Sequence, residues 1–314
     1  MLRFTGWSTS LVAVVCGAIL CGPLVGCSGT TKKPPLTIAE RLKRAKADKT
    51  PGGPARELAK VARSQFKSGD KAGAIQTLAE ARKTISSDAD ATVFAPRLVD
   101  IASAFASMSD KRAARETAGE AVVMSDRIGD AVARIEILSK TGALYGGKDG
   151  GLGESSKAKE LLARAAELAA GDEVADRFRP QALAAVALGY ADADLADQAD
   201  AIVEKLEGLA DSLDARPKAE ALAAAANVRA RRGEKDKSAT LLADAAKAAK
   251  SVDGAANKTY ALLAVAKACR AAGDTKTATS LTAEAEKSAG RIGDPEQQKD
   301  ALLDVRALQT ALKN

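Results

Sequence analysis

The chain has 314 residues, 46% of them hydrophobic but only 3% aromatic, with no histidine, 4 cysteines, 9 prolines and a net charge of +6. Without histidine there is no Ser-His-Asp or Cys-His arrangement and none of the commonest metal ligand. The apolar content is mostly alanine, leucine and valine, which suits many close helix–helix contacts and argues against a sheet.

Residues 1–10 carry Arg3 and no acid, and an apolar stretch follows from Leu11 to Val25, interrupted by Pro23. It is shorter than the roughly 20 residues of a membrane span and matches the apolar region of a signal peptide. Leu24-Val25-Gly26-Cys27 then resembles the bacterial lipobox, an aliphatic residue and two smaller ones before a lipid-accepting cysteine. Cys16 and Cys21 follow the bulky Val15 and Leu20 and do not fit that pattern. The resemblance implies a lipoprotein signal peptide over 1–26 and a mature chain starting at a lipidated Cys27. The protein is then exported and anchored to the cell membrane by several acyl chains, or to an outer membrane where the organism has one, since Ser28 is not aspartate.

Residues 27–54 form the expected basic, flexible tether. Lys32-Lys33-Pro34-Pro35 and Pro51-Gly52-Gly53-Pro54 bracket a charged segment, within which Thr37 to Lys49 is predicted as a short helix. Between 28 and 67 there are 11 Lys or Arg and 3 acids, a net +8. With Arg3 set apart, residues 68–314 are −3, from 6 − 1 − 8. The basic character belongs to the tether, where it suits an anionic membrane surface or a solvated spacer equally.

Two markers recur from residue 55 onward. A turn followed by small residues reads Gly69…Ala74…Ala81, Ser109…Ala114…Ala121, Gly153…Ala158…Ala165, Asp194…Ala199…Leu206, Gly233…Ser238…Ala245 and Gly273…Ala278…Ala285. An aspartate ends each unit: Asp88, Asp130, Asp172, Asp214, Asp253 and Asp294, spaced by 42, 42, 42, 39 and 41. A shared period in this range means a repeat array. Leu98, Ile101, Ala102 and Phe105 mark one apolar helix face, as do Leu262, Val265, Ala266 and Cys269, which makes Cys269 a core residue. Leu161, Ala165 and Leu168 do the same in a second helix.

The Gly-Asp turn with alanines at these offsets resembles tetratricopeptide repeats over residues 55–298. The period near 41 is longer than the family's usual 34, and the aromatic and terminal-proline positions are poorly kept. HEAT-like repeats are the nearest other architecture. The expected fold is all-α: a right-handed superhelical solenoid of about six helix-turn-helix repeats, closed by a C-terminal capping helix over 299–314.

Three local features are weighed as sites. Gly146 to Gly153 is glycine-rich but lacks a phosphate-loop pattern and reads as a flexible insertion. Asp192, Asp194, Asp197 and Asp200 lack calcium-loop spacing and read as a capping, solvated face. Arg229, Arg231, Arg232, Lys235 and Lys237 read as a solvated basic patch, able to steer an acidic partner.

No catalytic set, cofactor or metal site is legible, and neither an enzyme activity, a small-molecule substrate nor nucleic-acid binding is expected. The resemblance implies a protein-binding scaffold of the cell envelope, holding a partner segment in a concave groove lined by first helices. Its groove-facing residues are then Arg63, Ser103, Glu136, Asn227, Tyr260, Lys267 and Arg270. The other reading is a structural tether between membrane and wall or neighbouring envelope components, with no groove ligand.

Overall fold

The computed structural model describes residues 36–86, 89–147 and 150–313; the predicted signal peptide and Cys27 lie outside that set. Fourteen α-helices and no strand are found among the described residues. Helix α1 (Ile38–Ala47) precedes six antiparallel pairs. These are α2 (Gly53–Lys67) with α3 (Lys71–Lys83), α4 (Ala91–Ser107) with α5 (Lys111–Ser125), and α6 (Ala131–Gly146) with α7 (Ser155–Ala170). They continue as α8 (Arg179–Asp192) with α9 (Ala196–Ala210), α10 (Ala215–Arg231) with α11 (Lys235–Ser251), and α12 (Ala255–Ala271) with α13 (Thr275–Ala289). Helix α14 (Pro295–Lys313) packs on the last pair. The chain is an all-α solenoid of helix pairs.

The turn inside each pair explains the sequence marker. Gly69, Ser109, Gly153, Asp194, Gly233 and Gly273 all have positive φ, between 61° and 90°. In five of the six turns the next residue returns its N–H to a carbonyl five residues back, for example Asp70 to Gln65 at 3.0 Å and Asp274 to Cys269 at 2.8 Å. This left-handed C-cap ends the first helix, and an aspartate then opens the second: Asp70, Asp110 and Asp274 accept from Gly73, Ala113 and Thr277 N–H. The small residues that follow are buried, from Ala74 and Ala114 to Ser238 and Ala278, and so are those seven positions further on. A methyl or hydroxymethyl at each crossing lets paired helices approach closely.

Two of the recurring end-of-unit aspartates cap the next helix through their side chains, and Asp214 stands at the α10 N-cap without such a bond. Asp130 accepts from Ala133 N–H at 2.7 Å and Asp294 from Gln297 N–H at 2.7 Å. In the second repeat Asp90 takes that role, accepting from Thr92 N–H at 2.9 Å, while Asp88 lies outside the described residues.

First helices stack on one another along the array, and each second helix packs on its own first helix and the next. The apolar core is continuous through the first four repeats and passes to the last two across α10. That helix turns Ala221, Ala225 and Val228 one way and Ala219, Leu222 and Ala226 the other. Cys269 is fully buried in this second core, and burial pushes its thiol pKa up to about 11, consistent with a small core residue.

Two expectations are revised. Part of the 27–54 segment is not tether: α1 lies on α2, with Ala45 in the core, Arg41 donating to Ser64 Oγ at 2.9 Å and Lys46 reaching Glu80 at 2.9 Å. Thr37 caps α1 in a reciprocal box with Glu40, so the short segment has a defined start as well as a docking face. The glycine-rich insertion is also pinned in its described part. Leu152 is buried and donates its N–H to Leu144 O at 2.9 Å, which folds the loop back on α6.

Candidate functional site

Six of the seven residues expected in a first-helix groove fall in two rows running across the repeats, and Arg270, three residues before Gly273, lies outside both. Arg63, Ser103, Asn227 and Lys267 each stand six residues before the positive-φ turn residue (Gly69, Ser109, Gly233, Gly273) and so occupy one structural position. Tyr260 belongs to a second row with Arg56, Gln181 and Glu220, thirteen residues before their turns. Glu136 meets that row by accepting from Gln181 Nε2 at 3.3 Å. Much of this face is already partnered. Arg63 donates to Asp100 O at 3.4 Å, Glu136 lies 3.5 Å from Lys140 Nζ, and the Arg216 guanidinium sits 5.6 Å from the Tyr260 ring centroid. Asn227 is half-buried, with an Oδ1 that has no hydrogen-bond partner. Lys267 and Arg270 are exposed.

The acidic cluster and the basic patch, both read from sequence as solvated, are joined. They occupy corresponding turns of neighbouring repeats, and stacking brings them together. Arg231 pairs with Asp192 and Arg232 with Asp200. Arg229, with a side chain only 9% exposed, reaches Asp200 at 2.7 Å, Glu234 at 3.3 Å and Glu207 at 3.6 Å. The hydrogen bond to Asp200 is the main force holding the Arg232 guanidinium protonated above its ordinary range. Most of the charge in both clusters is thus paired within the protein. Among the described residues no group of His, Cys, Asp or Glu side chains is placed to hold a metal ion.

An apolar opening lies on the opposite side from the predicted groove. Second helices stand farther apart than first helices, and between α3 and α5 a groove of about 630 Å³ reaches down to Leu98 and Phe105 of α4. Ile75, Ala79 and Ile85 form one wall, and Val123 and Met124 the other. Val123 is 69% exposed, a large apolar side chain facing water. Lys83 and Arg127 flank the end where both helices finish, and Asp110 the end where α5 begins. Arg82 crosses from α3 to Glu116 and Glu120 on α5, and its hydrogen bond to Glu120 is the first of the interactions raising its pKa. Sequence reading missed this groove because it treated second-helix apolar residues as interior; the available signal was Val123, next to the core-facing Val122.

No known protein-family profile matches the chain, and no curated protein matches it. Among solved structures it is similar to Ton1535 from Thermococcus onnurineus NA1, at 13% identity and a TM-score of 0.44, covering 85% of this chain and 94% of that one. It is similar to PilW, described as a widely conserved type IV pilus biogenesis factor, at 14% identity, a TM-score of 0.33 and coverage of 79% and 98%. A third is a Rap protein complexed with competence and sporulation factor, at 13% identity, a TM-score of 0.36 and coverage of 88% and 80%.

Proposed function

We propose that the array is a protein-binding scaffold anchored at the cell envelope through Cys27, and that a partner helix docks between α3 and α5. The observation that carries the docking site is the apolar groove with Val123 exposed at its rim. An exposed apolar groove walled by two helices and edged with charge suits the apolar ridge of an amphipathic helix. Lys83 at one end calls for a carboxylate near the matching end of that ridge. The anchor rests on the apolar stretch Leu11 to Val25 and the lipobox-like Leu24-Val25-Gly26-Cys27.

Two variants test the docking site by cross-linking in cells and quantitative mass spectrometry. One partner should be captured by the full chain and lost in Val123→Glu. It should be retained when Lys267 and Arg270 are changed to glutamate. Retention in Val123→Glu with loss in the other variant would move the site to the first-helix face. For the anchor, Cys27→Ala should release the mature chain from the membrane fraction; persistent partitioning would exclude lipidation as its cause.

A further inference from the structure

We infer that a slot between α2 and α4 is an anion site that takes a phosphate group. It lies on the first-helix face, away from the α3–α5 groove, and does not depend on the docking proposal. The slot is about 180 Å³ and is lined by Arg56, Lys60, Arg63, Arg97 and Asp100, with Ala55 and Ala59 as its floor. At roughly 30 Å³ per water, that is room for a tetrahedral oxyanion and a few waters.

The charges around it do not cancel. Glu57 takes Arg56 at 3.1 Å and Lys60 at 2.8 Å, and Asp100 Oδ2 is 3.5 Å from Arg97. With Asp48 beside Arg56, four cations thus face three carboxylates, leaving +1 (4 − 3) beside the slot. Arg63 has only the Asp100 main-chain carbonyl, at 3.4 Å. Arg97 Nε is buried with no hydrogen-bond partner, although the side chain as a whole is 32% exposed. A charged guanidinium with one N–H buried and unpaired is costly, and an anion partner on the exposed part of the group offsets that cost.

Local backbone structure holds Arg97 there. Gly52 has a φ of +69°, and a Cβ on it would meet Val93 at 3.1 Å and the Arg97 stem at 3.7 Å, so the chain entering α2 lies directly against that side chain. Guanidinium groups bind phosphate through paired N–H donors, which favours this oxyanion. The phosphate can be free in solution or carried by a lipid headgroup.

The test uses the full-length chain carrying Cys27→Ala, so that acylation does not report as binding. Inorganic phosphate is titrated by calorimetry, and sedimentation is compared between phosphatidylcholine vesicles with and without phosphatidylglycerol. Arg63→Gln with Arg97→Gln should weaken binding about tenfold. Lys267→Gln with Arg270→Gln, which removes the same charge, should change it little. Arg63→Gln alone, at an exposed position, should also weaken binding and guards against misfolding of the double variant. Selective loss with inorganic phosphate assigns a free oxyanion, and selective loss only with phosphatidylglycerol assigns a headgroup. Equal weakening in both double variants, or no binding of either probe, overturns the site.

Discussion

The junction between α6 and α8 and the junction between α9 and α10 hold neighbouring repeats together by different means. At the first, glycine removes side chain from the contact. A Cβ on Gly189 would lie 2.6 Å from Leu162 Cδ2 and 2.9 Å from Ser139 O, one on Gly142 2.7 Å from Leu162 Cγ, and one on Gly146 2.6 Å from Ala193 Cβ. The second is secured by charge, with Arg229 enclosed by Asp200, Glu207 and Glu234. One repeat plan therefore tolerates both solutions. The glycine contact depends on shape and is indifferent to salt and pH, whereas the charged contact depends on every partner staying ionised.

The largest effect is expected at the charged junction. Arg229→Ala removes a nearly buried guanidinium, takes from Glu207 its cation and leaves Asp200 and Glu234 to Arg232 and Lys237, and should destabilise the chain by about 3 kcal/mol in chemical denaturation. A loss under about 0.5 kcal/mol, the size of an ordinary surface change, would mean that the cluster is decorative. At the glycine junction Gly189→Ala should cost about 2 kcal/mol through overpacking against Leu162 and Ser139. Adding salt should leave that cost unchanged while reducing the cost of Arg229→Ala. A smaller gain is expected outside both junctions. Ser109 has a φ of +63°, and Ser109→Gly should stabilise by about 1 kcal/mol; a thermal scan showing no gain would mean that the serine is not strained.

The smallest effect is in pH dependence. Hydrogen bonding from Lys237, followed by the nearby Arg229, holds the Glu234 carboxyl below its ordinary range. Its pKa is thus lower folded than unfolded, so its contribution is present above the ordinary glutamate range and is lost as pH falls through the folded value. Hydrogen exchange near pH 4 should open α9 and α10 before α6 and α8. Simultaneous opening would remove the distinction between the junctions.

The period, the turn residues and the buried small positions were legible in the sequence because each is a local backbone requirement repeated six times. Ser109 and Asp194 could be placed in the same turn as four glycines by register alone, and both have the same positive φ. Cys269 was legible from helical spacing. The joining of the two charge clusters was not, since Asp192 and Arg231 are 39 residues apart and look solvated when each is read with its own neighbours. A search for opposite charges one period apart would have found them. The α3–α5 groove was hidden for another reason: amphipathic spacing shows which side of a helix is apolar, but not whether the adjacent second helix comes close enough to cover its edge.

Cross-repeat pairing by arginine also bears on how such a chain can change length. Arg82 reaches Glu120, Arg115 reaches Glu154, Arg134 reaches Glu173 and Arg231 reaches Asp192, each acid lying in a neighbouring repeat. A gene duplication or deletion of one unit preserves every turn and every buried alanine but gives these arginines a new neighbour. Where that neighbour has no acid at the right place, the junction has lost its lock although the fold plan is intact. Gain or loss of a unit is therefore least damaging at junctions held by small residues, and the array is modular in backbone but not in charge.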